Sequence, residues 1–307
     1  MAELQATYVE EAALPSTPDA QPRHQHGGAR RRVRNGIYMT DVSVVIPTFR
    51  RCELLMEAIG SALAQQDVSV EIIVVDDSPE GSARDAVANL RDPRIQYVQS
   101  TTPSGGRPAL VRNEGWKKAR GRFIHFLDDD DRVADGYYRA AVAAFESHPE
   151  CGVVFGQIRP FSEPESAALE FEQQFFRRAA LRTRLWSRLG SRWALAANLL
   201  FMPTLLVNSA CMIRREHVQS LDGYDANIML NEDVDFFCRA IRAYGCRFLD
   251  QVVVHYRILP TSLMHGRTGN QKLIDSYQRM YARYRAKHGG IELLAMKILA
   301  RTVMRVL

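Results

Sequence analysis

Four aspartates in succession, Asp128 to Asp131, close the apolar run of Phe123, Ile124, Phe126 and Leu127. A run of this kind reads as a strand buried on both faces, so its tip delivers the carboxylates together. Like charges held so close repel one another, and burial adds to the repulsion. A divalent cation would relieve it, because hard cations take carboxylate oxygens. A solvated acidic turn leading into a helix near Gly136 accounts for the same residues without a metal. Asp76 and Asp77 follow the apolar run Ile72 to Val75. Carboxylates there suit the N–H of a base or the hydroxyls of ribose, although Asp and Ser also favour plain turns. Asp233, in Asn231-Glu232-Asp233, opens a helical pattern. The helix dipole favours an ionised carboxylate at that end, as a base deprotonating an alcohol requires, yet helix capping uses the same residue types. His255 and His265 are candidate ligands or ordinary structural histidines.

These residues need a scaffold that gathers strand ends. Val42 to Ile46 form a first apolar strand, ended by Pro47 with Thr48 in the loop beyond it. Apolar residues at helical spacing follow from Leu54 to about Gln66. The pattern then alternates: strands at 72–75 and 95–99, a helix near 82–90, and a Gly-rich loop at 103–106. A further helix is opened by Pro108 and closed by Gly121, and the acidic strand comes next. Strands alternating with helices predict βαβ units and an α/β fold with a mostly parallel sheet. Ligands bind beyond the carboxyl ends of such strands, where Thr48, Asp76, Asp77 and Asp128 to Asp131 fall. The second half reads as a helix over 136–147, a strand at 153–155, and a long arginine-rich helical segment over 163–200. A strand at 209–213, a turn at 221–224 and the helix opened by Asp233 and closed by Gly245 follow. The strand at 252–254 carries His255-Tyr256-Arg257 at its tip, and 291–307 is an amphipathic helix. Residues 1–38, rich in Pro, Gly and Arg without hydrophobic periodicity, read as a disordered tail; Met39 is an alternative start.

At 307 residues and a net charge of +5, the chain suits one large domain with appendages. Its arginines cluster at 30–34 and 177–192 instead of forming a broad basic face with aromatics, which argues against a nucleic-acid partner. The apolar stretches are too short to cross a bilayer. The five cysteines are scattered, without a CxxC pair, and read as reduced thiols in the cytoplasm. The arginine cluster and the last helix, with Lys297, Arg301 and Arg305, fit either solvated faces or peripheral contact with the inner face of an anionic membrane. No GxGxxG follows the first strand and no GxxxxGK[ST] occurs, so dinucleotide and P-loop readings lack support.

The ordered runs VSVVIPTFRR, EIIVVDDSPEG, ALVRNEGWKKARGRFIHFLDDDD and NEDVDFFCRAIRAYG resemble the family 2 glycosyltransferases of the GT-A fold. The resemblance spans roughly residues 42–260. It implies a Rossmann-like domain over 39–265, with a nucleotide half (39–131) and an acceptor half (132–265), then a helical tail over 266–307. It also implies a nucleoside-diphosphate sugar as donor, with a UDP-sugar expected, a cation (Mn2+ or Mg2+), and inversion at the anomeric carbon during hexosyl transfer. The acceptor implied is a saccharide or lipid-linked saccharide of cell-surface polysaccharide or glycolipid synthesis. By position, Thr48, Asp76 and Asp77 would hold the nucleoside, Asp128 and Asp130 would form the DxD element with Asp130 on the metal, and Asp233 would be the base. Arg112 and Asn113 match the pair that supports the acidic loop or the donor, and Arg257 would reach the phosphates. The sequence departs from the pattern at Ser78-Pro79, where Gly-Ser is usual, at Asp129 in the middle of DxD, and after Arg257, where a histidine is often found. Three rivals are set against this reading. A sugar-nucleotide nucleotidyltransferase would need a basic Gly-rich loop after the first strand, a receiver-type domain has no place for the second half, and a catalytically silent relative would bind donor only.

Overall fold

The computed structural model describes residues 33–34, 37–38, 40–163, 168–188, 190–201, 205–259 and 271–304. Valine and isoleucine at successive positions build the first strands of the main sheet: β-branched side chains suit a pleated surface packed on both sides. Ahead of them, β1 (Val33–Arg34) and β2 (Ile37–Tyr38) pair antiparallel. The disorder expected over 1–38 therefore does not extend to these four residues; the rest of that span, with Met39, His265 and Arg305, lies outside the described residues. The first half then runs β3 (Val42–Thr48), α1 (Cys52–Leu63), β4 (Val70–Asp76), α2 (Arg84–Asn89), β5 (Ile95–Gln99), α3 (Pro108–Trp116) and β6 (Phe123–Phe126). It continues through β7 (Arg132–Val133), α4 (Tyr137–Ser147), β8 (Val153–Phe161), α5 (Ala168–Arg188) and α6 (Arg192–Phe201). After a 3-10 turn at Asn208–Ala210 come β9 (Cys211–Arg214), α7 (Arg215–Ser220), α8 (Glu232–Tyr244), β10 (Cys246–Arg257), α9 (Gln271–His288) and α10 (Gly290–Met304).

Eight strands form one sheet in the order β5-β4-β3-β6-β9-β8-β10-β7. β3, β4, β5 and β6 pair parallel, as do β8 and β10, while β9 runs antiparallel to both its neighbours and β7 antiparallel to β10. The chain winds from β3 through β4 to β5, then crosses back to lay β6 on the other side of β3. That reversal leaves a crevice beyond the carboxyl ends of β3, β4 and β6. All three strands are buried almost throughout, which fixes their tips relative to one another.

Helix α3 lies flat on this half because Gly115 faces the sheet: a Cβ there would come within 2.4 Å of Val45 Cγ1. Pro108 opens it, its missing N–H being one the first helical turn leaves unpaired in any case. The helical segment expected over 163–200 contains two helices, α5 and α6, with Gly190 between them at φ +61°, a left-handed conformation that glycine adopts at little cost. The carboxy-terminal helices are part of the packed body. Met296 and Ala300 of α10 are fully buried, and Tyr281 of α9 stacks on Phe201 of α6 at 5.4 Å between ring centres. α9 has no counterpart in the sequence reading beyond the general expectation of a helical tail.

Candidate active site

The crevice is an open cleft of about 1090 Å3, and its lining includes Thr48, Asp77, Arg112, Asp128, Asp129, Asp130, Asp233 and Arg257. Residues as far apart in sequence as Thr48 and Arg257 thus face one volume. An aromatic stack brings the two acidic stretches together. Tyr224 lies on Phe236 with ring centres 4.3 Å apart, and Phe126 meets Tyr224 edge-on at 5.0 Å. Phe126 is two residues before Asp128 and Phe236 three after Asp233, so packing at this stack sets where both acids stand. The turn carrying Tyr224 is clamped by Asn113, whose amide donates to the Tyr224 carbonyl at 2.8 Å and accepts from its N–H at 2.9 Å. Gly223 has φ +63°, and a Cβ there would sit 2.3 Å from Asn113 Oδ1, which leaves room for glycine alone.

Arg112 is the link between the acidic stretches. Its guanidinium donates to Asp128 Oδ1 at 2.6 Å and to Glu232 Oε1 at 2.7 Å, and it lies 5.7 Å from the centre of the Tyr224 ring. Burial works against its charge, but Asp128 and Glu232 outweigh burial and raise its pKa. The sequence reading assigned Arg112 to support of the acidic loop or to the donor; these bonds tie it to the loop and to the start of α8.

The aspartate run is divided among different partners. Asp129 is buried, accepting from Thr48 Oγ1 at 2.7 Å and from Arg51 at 3.3 Å. Asp130 accepts from Arg51 at 2.9 Å. Even so, burial first, then Asp128 and Asp129, push Asp130 up to about 7. Asp131 turns inward, where its Oδ1 accepts the Arg257 N–H at 2.9 Å. Burial and its acidic neighbours raise its pKa well above the usual carboxylate range.

These observations test whether a cation fits. The donor set is hard oxygen, and Asp130 is held in a state that a positive charge would relieve. Among the described residues no three His, Cys, Asp or Glu side chains converge as a closed metal cage. Asp128 and Asp130 both line the cleft, each with an arginine partner; magnesium sites can be built from one or two carboxylates that substrate phosphates complete.

The acidic pair after β4 separates into two roles. Asp77 lines the cleft and accepts from the Ser104 N–H at 2.7 Å and Ser104 Oγ at 2.6 Å, while its own N–H donates to the Thr48 carbonyl at 2.9 Å. Asp76 is fully buried and does not line the cleft; it accepts from Ser78 N–H, Ser78 Oγ, Ala83 N–H and Tyr97 Oη at 2.7–3.0 Å. Of the pair, Asp77 is thus the one that faces the cleft, and Asp76 shapes the loop beside it. Ser78, one of the departures from the family pattern, completes that loop by holding Asp76.

Arg257 stands at the cleft with its guanidinium already engaged: it donates to the Asp130 carbonyl at 3.0 Å, to Glu163 at 3.1 Å and to Glu57. These bonds, with the Arg257 N–H on Asp131, fasten the aspartate turn to β10. His255 pairs with Arg132 in the β7–β10 ladder and is not among the cleft residues.

Asp233 sits in the first turn of α8, accepting the Val234 N–H at 2.8 Å. Burial, then Glu232, lift its pKa to about 7, with Arg112 pulling partly the other way. A carboxylate poised near neutrality is suited to take and release a proton. The residue before the helix, Asn231, has φ +59°, a left-handed conformation that asparagine tolerates.

Sequence reasoning missed Arg51, which neutralises the aspartate run from the start of α1, and Ser104, which holds Asp77. Arg51 lay within the quoted VSVVIPTFRR run, and Ser104 within the Gly-rich loop. It also missed the other end of the cleft, where Phe171, Phe175, Phe201, Tyr277 and Tyr281 make an apolar wall, with Lys297 and Arg301 beside it. Tyr277 and Tyr281 are spaced i, i+4, a pattern that marks one helix face but not what the face meets.

Comparison with known proteins fits this geometry. The profile of glycosyl transferase family 2 matches residues 43–197. The succinoglycan biosynthesis protein ExoO of Rhizobium meliloti is 34% identical over 138 residues, covering 42% of this chain and 39% of that protein. A GalNAc(5)-diNAcBac-PP-undecaprenol beta-1,3-glucosyltransferase of Campylobacter jejuni is 40% identical over 100 residues, or 32% of each chain. The matched stretch thus spans well under half the length of these relatives. Among solved structures, S. aureus TarS 1-349 in complex with UDP-GlcNAc superposes with a TM-score of 0.61 at 18% identity, covering 85% of this chain and 70% of that one. The mannosyltransferase PcManGT from Pyrobaculum calidifontis, in complex with GDP-Man and Mn2+, gives 0.54 at 18% identity, covering 80% and 64%. At such identity the structural likenesses speak to the fold, and the profile, which matches half of the chain, to the lineage. With the motif order and the shared cleft, they show that this chain belongs to glycosyl transferase family 2.

Proposed function

We propose that the protein transfers a hexosyl unit from a nucleoside-diphosphate sugar to an acceptor hydroxyl, with inversion. The observation that carries this is the shared cleft, which faces Asp77, the Asp128–Asp130 run and Asp233 into one volume. Thr48 and Asp77 would hold the nucleoside at the tips of β3 and β4, with Asp76 bracing the loop. Asp128 and Asp130 would hold Mn2+ or Mg2+, which when bound supplies positive charge against the diphosphate oxygens. Asp233 takes the acceptor hydroxyl proton as that oxygen attacks the anomeric carbon. The bond from this carbon to the diphosphate breaks on the opposite face, so the configuration inverts. Arg112 keeps the two acidic stretches in register, and Arg257 holds the aspartate turn in place.

Neighbours of this fold carry UDP-GlcNAc or GDP-Man, which makes a UDP-sugar the first donor to try and a GDP-sugar the second. The names of relatives that act on undecaprenol-linked saccharides direct the acceptor search to lipid-linked saccharides. No helix among the described residues is long and apolar enough to cross a membrane. The test is a panel of nucleotide sugars screened by thermal shift with and without Mn2+, followed by donor-hydrolysis and transfer assays. The reading expects cation-dependent stabilisation by one donor class and turnover of that donor. Stabilisation without any turnover would instead support a donor-binding relative that has lost catalysis.

A further inference from the structure

Helix α10 is apolar on two opposite sides, and the described residues cover just one of them. Met296 and Ala300 are buried, while Ile291, Leu294 and Ile298, on the opposite face at helical spacing, are 88%, 58% and 54% exposed. Large apolar side chains contiguous on one helix face mark a surface that binds something. The charges say what. The only acid in the helix, Glu292, turns inward to Arg242 at 3.0 Å and Tyr284 at 2.5 Å, so the outer face carries no negative charge. Along one edge of that face stand Lys297 and Arg301, both exposed and, among the described residues, without an ion-pair partner. Both also line the cleft that contains Asp233, as does Phe171, 70% exposed on α5.

From this we infer that the outer face of α10 docks on an anionic lipid bilayer, with Ile291, Leu294 and Ile298 entering the headgroup boundary and Lys297 and Arg301 meeting lipid phosphates. A helix of 15 residues extends about 22 Å, short of the roughly 30 Å hydrocarbon core, so it lies on the bilayer instead of crossing it. An amphipathic helix with a cationic edge is the form such surface helices take. Docked this way, the cleft opens at the membrane surface. The inference deepens the lipid-linked acceptor reading and rests on it for its purpose, but lipid binding is measured without any transfer assay, so the two can fail separately.

The experiment is flotation of the full chain with vesicles of phosphatidylcholine alone and with phosphatidylglycerol as about one lipid in three. Wild-type protein should float with the anionic vesicles, remain behind with the neutral ones, and be released by high salt. The Ile291→Glu/Leu294→Glu/Ile298→Glu variant should lose vesicle affinity at least about tenfold, with thermal midpoint and donor hydrolysis unchanged. Ile291→Glu alone, at the most exposed position, should show a smaller loss in the same direction and guards against misfolding of the triple variant. Three results would overturn the inference: no flotation of wild type with anionic vesicles, undiminished flotation of the triple variant, or a wild-type dimer in solution that the triple variant converts to monomer. The last would assign the face to a second copy of the chain.

Discussion

On one side of the cleft every carboxylate of the Asp128–Asp130 run has a side-chain partner: Arg112 for Asp128, Thr48 and Arg51 for Asp129, Arg51 for Asp130. On the other side Asp233 accepts a backbone N–H from Val234, while its neighbour Glu232 takes the guanidinium of Arg112. The difference separates holding from reacting. Asp128, Asp129 and Asp130 are fixed in place by arginine and threonine partners, and what such a cluster could accept is a cation. Asp130 and Asp233 both stand near neutrality, at about 7, but Asp130 is bonded to Arg51 and Asp233 to a backbone N–H, which leaves Asp233 the better suited to exchange a proton. Arg112 sets the contrast, since it bonds directly to Asp128 and Glu232 and reaches Asp233 only through its charge.

The contrast is broken most sharply at Asp233. Asp233→Asn should lower transfer by about a thousandfold while donor-induced thermal stabilisation persists, as read by steady-state rates beside a donor titration. Next comes Arg112→Ala, which strands Asp128 and Glu232. Loss of a buried partner costs about 3 kcal/mol, and the thermal midpoint should fall by roughly 6 °C or more. A mild change, under about 1 °C, would mean that the arginine does not join the two sides.

The pH dependence sharpens the same comparison. Asp233 must be ionised to act as a base, and its pKa stands at about 7. Transfer rate should therefore climb tenfold per pH unit below about 7 and level off above it. The linkage sign follows. A carboxyl whose folded pKa is raised costs stability once pH exceeds its unfolded value, and the cost grows until pH passes the folded value. Asp233→Asn should thus gain stability over the parent as pH rises from about 4 to 7, read by denaturant midpoints across that range. The smallest expected effect is at Thr48→Val, which removes the hydroxyl bonded to Asp129. A single neutral–charged hydrogen bond is worth about 1.5 kcal/mol, so the thermal midpoint should fall by roughly 3–6 °C, read by thermal unfolding.

The strands and helices of the first half were legible because each is a local pattern. Valine-rich runs followed by aspartates, and the opening Pro108, identify themselves without reference to partners, although β3 runs on through Pro47, expected to end it, to Thr48. Strand-end placement of Thr48, Asp77 and Asp128 followed from the same alternation. The direction of Asp76 was not legible, since adjacent residues at the end of a strand leave in opposite directions and only the pairing with Ser78, Ala83 and Tyr97 shows which one is turned inward. The partners of Arg257 were not legible for a related reason: Glu57 and Glu163 come from α1 and from the loop after β8, far from it in sequence. The apolar end of the cleft depends on packing among α5, α6, α9 and α10, whose contacts leave no spacing rule in the sequence.

The most direct test of the division between holding and reacting is a calorimetric titration of the preferred nucleotide sugar into Asp130→Asn and Asp233→Asn, each with Mn2+ and with chelator. The account predicts that Asp130→Asn loses the cation-dependent part of donor affinity, whereas Asp233→Asn binds donor with the same cation dependence as the parent. Equal loss of cation-dependent binding in both variants would contradict it.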